Sequence, residues 1–270
     1  MPFLTVPGAK LHYTTIGKGP LLLFIHGAGG RGEMFRPVAE QLASSFTVVT
    51  WDRRGYSKST LEGPQDFTNR VEVDASDSSR LIEHISSDKS AFVFGTSSGA
   101  IVALTLLSRF PNNVLGLVAH EPPCTDVLNA EDKRNAAGFI NFIYDLYREK
   151  GPNEALQLFL SNFSVESESN HMLECMDIRL DAEVRANTLF WFEFELKQYT
   201  SFCLDVSTLK RFATKIIPAA GALSGNGATV GHIMTLSVML GQEVKHLPGA
   251  HIGYICHPSD FAASLSQMLQ

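Results

Sequence analysis

The chain has 270 residues, 44% of them hydrophobic and 19% charged, with a formal net charge of −6. This length and balance suit one large globular domain with a modest insertion. The acidic charge, with no Lys/Arg cluster, argues against nucleic acid or an anionic membrane as a partner. No stretch is long and apolar enough to span a bilayer. The N-terminal MPFLTVPGAK lacks the charged start and apolar core of a secretion signal. The four cysteines, Cys124, Cys175, Cys203 and Cys256, show no CxxC spacing. They are expected to be reduced thiols in a cytoplasmic protein, with Cys124 a packing residue.

Residues 3–6 and 10–16 read as two strands joined at Pro7-Gly8. Leu21 to Ile25 is an unbroken apolar run, as expected of a strand covered on both faces, and it ends in His26-Gly27-Ala28-Gly29-Gly30. No Gly-Lys-Ser/Thr follows, so this is not a phosphate loop. A helix is predicted over Glu33 to Ser44, then a fourth strand over Phe46 to Trp51, ending in Asp52-Arg53-Arg54-Gly55. A helix near residues 69–86 leads to a fifth strand, Ala91 to Phe94.

Gly95-Thr96-Ser97-Ser98-Gly99 follows this strand and precedes a helical run ending at Pro111. A serine at a strand-to-helix turn, with glycine two positions to either side, is the pattern of a nucleophile elbow. The turn is tight enough that side chains at the flanking positions would collide, so glycine is needed at both. A sixth strand, Val114 to Ala119, ends in His120-Glu121-Pro122-Pro123. Alternation then stops, and residues 129–205 read as mostly helical. Phe139, Ile143 and Leu146 share one helical face, as do Leu156, Phe159, Leu160 and Phe163. Strands resume at 215–220 and 243–247, and a last helix starts after Pro258.

Such alternation implies an α/β fold, a mostly parallel sheet flanked by helices, with a helical lid inserted after the sixth strand. The expected division is a core of residues 1–125 and 206–270, with residues 126–205 as the lid. Ligands of such sheets gather at the carboxyl ends of the strands. His26, Asp52, Ser97, Glu121 and Ser224 all follow predicted strands.

A serine hydroxyl needs a base within hydrogen-bond reach, and the base needs a third group to fix its tautomer. Among nine histidines, His251 follows the final strand in Leu247-Pro248-Gly249-Ala250-His251, where small residues allow close approach to the elbow. His257 is the alternative, and His26 is expected to brace its own loop. The usual acid position after the strand at 215–220 holds Ser224, and no Asp or Glu occurs between Arg211 and Gln242. Glu121, after the strand that follows the elbow, is the candidate acid. Asp126 is the runner-up, and a plain salt bridge from Glu121 to Arg53 or Arg54 is the competing role. The oxyanion hole needs two backbone N–H groups, one from Ser98 and one from Ala28 or Gly27.

These features resemble the α/β-hydrolase superfamily. Three stretches resemble the fungal zearalenone lactone hydrolases: Phe94 to Ala100, His120-Glu121-Pro122-Pro123, and Leu247 to His251 with His257-Pro258 and Phe261-Ala262. His26-Gly27 and Asp52-Arg53-Arg54-Gly55 look more like general bacterial-type hydrolases with the same acid placement. The resemblance implies an acid donated after the strand following the elbow. It also implies opening of a resorcylic acid macrolactone, no metal or cofactor, and a lid tryptophan against the substrate. Asn187 to Trp191 resembles that lid region, so Trp191 is carried over as a substrate contact. Phe190, Phe194 and Met34 are further candidates. The expected activity is a Ser-His-Glu hydrolase for a hydrophobic ester or lactone, possessed by a monomer or homodimer. Rival readings are a hydrolase of C–C bonds in β-diketones and a ligand receptor that retains the triad.

Overall fold

The structure is a computed structural model and describes residues 2–161 and 165–270. Phe163, predicted on an apolar helix face, lies outside the described residues. The strands are β1 (Phe3–Val6), β2 (Ala9–Gly17), β3 (Leu21–Ile25), β4 (Thr47–Trp51), β5 (Thr60–Leu61), β6 (Ala91–Thr96), β7 (Val114–His120), β8 (Ile216–Gly221) and β9 (Lys245–Leu247). They form one sheet in the order β1-β2-β4-β3-β6-β7-β8-β9, with β5 paired to β2. Pairings from β4 through β3 to β9 are parallel, while β2 runs antiparallel to β1, β4 and β5.

The two faces of the sheet follow from the two-residue period of a strand. Leu21, Leu23 and Ile25 of β3 join one core with Val93, Leu117 and Ile101. Leu22 and Phe24 join the other, with Phe94, Val118 and Phe261. Both faces of β3 are thus covered, which is why its sequence is apolar without alternation. The order also reverses at β3: the chain passes to β4 on one side and returns to β6 on the other. Open sheets bind ligands in the crevice outside such a reversal. Here that crevice is flanked by the loop after β3 and the turn after β6.

A missed strand and a divided helix are among the differences from the sequence reading. The two-residue β5 has no periodic signature, and it makes the strand before the helical segment the seventh rather than the sixth. The helix predicted from Glu33 is a 3-10 turn over Gly32–Phe35 followed by an α-helix over Arg36–Leu42, with Pro37 in its first turn. Proline fits there because the first helical N–H groups have no internal partner.

Between β7 and β8 lie helices over Ala130–Lys150, Pro152–Leu160, Glu166–Cys175, Ala182–Phe194 and Leu196–Thr200. Their ends are defined by local chemistry. Asn129 accepts from the N–H groups of Glu131 and Asp132, and Asp181 from that of Val184. Gly151 turns the chain between the first two helices at φ +99°. Among the described residues, no helix is long and apolar enough to cross a membrane.

Candidate active site

Ser97 sits between β6 and the helix Ser98–Arg109 with φ +54° and ψ −130°. A serine is rarely held there, and the surrounding packing imposes it. A Cβ added at Gly99 would lie 2.2 Å from the Ile25 carbonyl oxygen and 2.5 Å from that of His26. One added at Gly95 would lie 2.6 Å from the Gly99 oxygen and 2.8 Å from the Ala103 methyl. Both glycines are therefore needed for the turn to pack against β3 and its own helix. Gly99→Ala is expected to cost at least about 3 kcal/mol, a fall in Tm of roughly 6–12 °C measurable by thermal circular dichroism.

The loop after β3 runs directly beside this turn. A Cβ at Gly27 would approach the Ser97 Cβ to 2.7 Å. His26 braces the loop: its Nδ1 lies 2.9 Å from the Gly27 oxygen, and its Nε2 accepts from the Arg53 N–H at 3.0 Å. Burial and the adjacent Arg53 guanidinium push His26 down to about 3, so the ring is a neutral strut. Arg53 also donates to the carbonyl oxygens of His26 at 3.1 Å and Gly27 at 3.3 Å. Across a trans peptide the N–H points opposite to the C=O, so drawing the Gly27 oxygen toward Arg53 turns the Ala28 N–H the other way.

His251 and Glu121 meet although 130 residues apart: Nδ1 lies 2.5 Å from Oε2. Glu121 follows β7 at φ +46°. Its Oε1 accepts from the Gly221 N–H at 2.8 Å, and its Oε2 from the Thr229 hydroxyl at 3.2 Å. Ser224, at the usual acid position after the strand at 215–220, lies buried beside it. Burial opposes the carboxylate charge, but the hydrogen bond and charge of His251 outweigh burial and hold Glu121 well below the usual carboxylate range. The competing partners are engaged elsewhere. Arg53 pairs with Asp74 and Glu195, Arg54 with Asp77, and Asp126 with Lys133. His257 is exposed. Burial pushes the Cys124 thiol up to about 12, which makes it inert.

Ser97, Glu121, His251, Gly27, Ala28 and Ser98 all border one cavity of about 590 Å³. Its other wall comes from the helical segment and includes Phe139, Phe159, Met172 and Trp191. Volume and lining are those of a site for an apolar small molecule. Phe190, Phe194 and Met34, taken from the sequence as substrate contacts, do not border it. Phe194 stacks on Phe67 with centroids 4.1 Å apart, and Phe190 packs edge-on against Tyr56. Met34 packs against the second core. Helical phase explains the split. Residues 190 and 194 share one face of the helix, while Trp191 and Glu195 share the next, which faces the cavity.

Glu195 was not singled out from the sequence. It is buried at the end of the helix Ala182–Phe194 and accepts from Arg53 Nη2 at 2.7 and 2.8 Å and from the hydroxyls of Tyr56 and Ser98. Tyr199 donates to Asp74 at 2.6 Å. The helical segment is thus bonded to Ser98, the residue after the elbow serine. Two buried charges of each sign, Arg53, Arg70, Asp74 and Glu195, keep this network neutral overall. Among the described residues, no cluster of His, Cys, Asp and Glu has the arrangement to hold a metal ion.

Residues 20–189 match the family described as the alpha/beta hydrolase fold. The chain is 34% identical over 271 residues to the "Uncharacterized hydrolase YraK" of Bacillus subtilis, covering 99% of this chain and 95% of that protein. It is 23% identical over 262 residues to the "Zearalenone hydrolase" of Cladophialophora bantiana, covering 96% and 92% of the two. Among solved structures it is similar to the enol-lactonase of Burkholderia xenovorans, with a TM-score of 0.68, 19% identity, and 99% of each chain covered. The sheet order, the turn at Ser97 and these likenesses agree: the chain is a hydrolase and belongs to the alpha/beta hydrolase family.

Proposed function

We propose that this hydrolase cleaves an ester or lactone bond in a hydrophobic small molecule, with Ser97 as nucleophile, His251 as base and Glu121 as the orienting acid. The observation that carries this reading is the Nδ1–Oε2 contact of His251 and Glu121 at a cavity that Ser97 also borders. With Nδ1 held by the carboxylate, Nε2 is the ring nitrogen left to take the Ser97 proton as the hydroxyl attacks the carbonyl. Glu121 stabilises the imidazolium without taking the proton. The N–H groups of Ser98 and Ala28 hold the oxyanion, and the Arg53 bond to the Gly27 carbonyl supports Ala28 as the second donor. His251 then protonates the leaving alkoxide, and water releases the acyl group. In a lactone the alcohol stays tethered to the acyl-enzyme until that step.

The apolar wall and the 23% likeness to a protein named zearalenone hydrolase support a macrolactone of a resorcylic acid as one substrate class. Residues 126–205 act in this reading as a lid over the carboxyl ends of the strands. Turnover of p-nitrophenyl esters and of zearalenone, with product mass, tests the proposal. Hydrolysis of the former and a ring-opened product from the latter are expected, and no hydrolysis of any ester or lactone contradicts it. Trp191, edge-on to Phe159 at 5.2 Å, provides a further prediction. Trp191→Ala is expected to raise KM for bulky aromatic esters roughly 10–100-fold. KM for p-nitrophenyl acetate should hardly change, and equal changes for both would remove Trp191 from the binding wall.

A further inference from the structure

Glu168 has no part in the chemistry above, yet it reaches the loop that carries His251. The helix Glu166–Cys175 is otherwise acidic and polar on its solvent side, with Glu166, Ser167, Asn170 and Glu174 exposed. Glu168 is only 5% exposed. A buried carboxylate is costly unless both oxygens find donors. Here Oε1 accepts from the Ala250 N–H at 2.7 Å and Oε2 from the Ile252 N–H at 2.8 Å. These are the residues on either side of His251, so one carboxylate holds the N–H of the 249–250 peptide and that of the 251–252 peptide, bracketing the base. Charge-assisted bonds of this kind are short and strong, and two together fix orientation as well as distance.

We propose that Glu168 is a positioning residue for His251, so that seating the helical segment between β7 and β8 sets the direction of the base.

The proposal rests on the assignment of His251 as base. Two other restraints on this loop come from the core. The Ala222 N–H donates to the Leu247 oxygen at 2.7 Å and the Leu223 N–H to the Gly249 oxygen at 2.9 Å, fixing the start of the loop. Glu121 holds the ring itself through Nδ1. Within the loop, the Gly253 N–H donates to the Ala250 oxygen at 3.3 Å and holds the 250–251 peptide. None of these bonds engages the Ile252 N–H, in the peptide that leaves the His251 Cα. Glu168 accepts from that N–H, and it arrives from the helical segment. The loop is shaped to admit it. Gly249 turns at φ +82°, and a Cβ there would lie 3.2 Å from Glu168 Oε1 and 2.6 Å from the Gly253 Cα. On the far side, a Cβ at Gly221 would lie 2.4 Å from the Ala250 oxygen. Position 168 requires a carboxylate: an amide offers one acceptor and sets an NH₂ donor against the second backbone N–H.

The test compares wild type, Glu168→Gln, Glu168→Asp and the exposed control Glu174→Gln. Active sites are first counted by stoichiometric labelling with a small fluorophosphonate, and kcat and KM for p-nitrophenyl acetate are expressed per labelled site. Glu168→Gln is expected to lower kcat per site by about 10–100-fold with KM within about threefold of wild type, and to slow phosphonylation in parallel. Glu168→Asp keeps the charge with a shorter reach and is expected to recover part of that loss, while Glu174→Gln matches wild type. A merely structural role would lower the labelled fraction and leave kcat per site unchanged, which overturns the proposal. If Glu168→Gln does not fold, Glu168→Asp decides alone: a lowered kcat per site at unchanged KM supports the proposal, and a wild-type kcat overturns it. A wild-type enzyme that takes no label contradicts the serine-hydrolase reading itself. Labelled wild type with an equally fast Glu168→Gln contradicts the role of Glu168 alone.

Discussion

Ser97→Ala is expected to lower kcat for p-nitrophenyl esters by about 10⁶-fold, leaving the residue of catalysis that an oxyanion hole and substrate binding supply without a nucleophile. The fold should tolerate the change, because alanine keeps the Cβ and the strain of the turn at φ +54° is already imposed by Gly95 and Gly99. Substrate affinity should persist, since the apolar wall from Phe139 to Trp191 is untouched. Steady-state kinetics and equilibrium binding of an unreactive ester together check both halves. Activity within tenfold of wild type would exclude Ser97 as nucleophile.

Glu121→Ala is expected to cost about 10⁴-fold in kcat, as does removal of the acid in comparable triads. The Gly221 N–H, the hydroxyls of Thr229 and Ser224, and His251 Nδ1 all lose their acceptor in the variant. The imidazole then lacks both its orienting partner and the charge that stabilises its protonated form. The sign of the pH dependence follows from the held-down carboxyl. An acid whose folded pKa lies below its unfolded value of about 4.3 adds stability above that value and loses it as pH falls through the folded one. Glu121→Ala should therefore flatten the loss of Tm on acidification relative to wild type. An inert Asp126→Ala beside an active Glu121→Ala would move the acid to 126, although Asp126 is paired with Lys133.

Most of the sheet was legible because its strands are covered on both faces. Runs such as Leu21 to Ile25, after Gly19-Pro20 and before His26-Gly27, and Ala91 to Phe94, before Gly95, are then continuously apolar. The elbow was legible because steric exclusion at positions 95 and 99 leaves a sequence mark. Glu121 and His251 could be sought by rule, as each follows a strand and the intervals that should hold an acid are empty. The carboxylates of the helical segment had no such mark. Glu195 meets Ser98 across 97 residues and Glu168 meets Ala250 across 82, so both contacts arise only when separate elements pack. Even a correct helix did not settle which aromatics face the cavity. Positions 190 and 194 differ from 191 only in helical phase, and the rings that pack on the first pair, Tyr56 and Phe67, are distant in sequence. The two-residue β5 was too short for any period to show.

The most direct measurement is to treat the protein with a fluorophosphonate and map the adduct by tandem mass spectrometry. One phosphonyl group per chain on Ser97, formed far more slowly in His251→Ala and Glu121→Ala, is the predicted result. An adduct on another residue, or one on Ser97 whose rate ignores both substitutions, would contradict a triad of Ser97, His251 and Glu121.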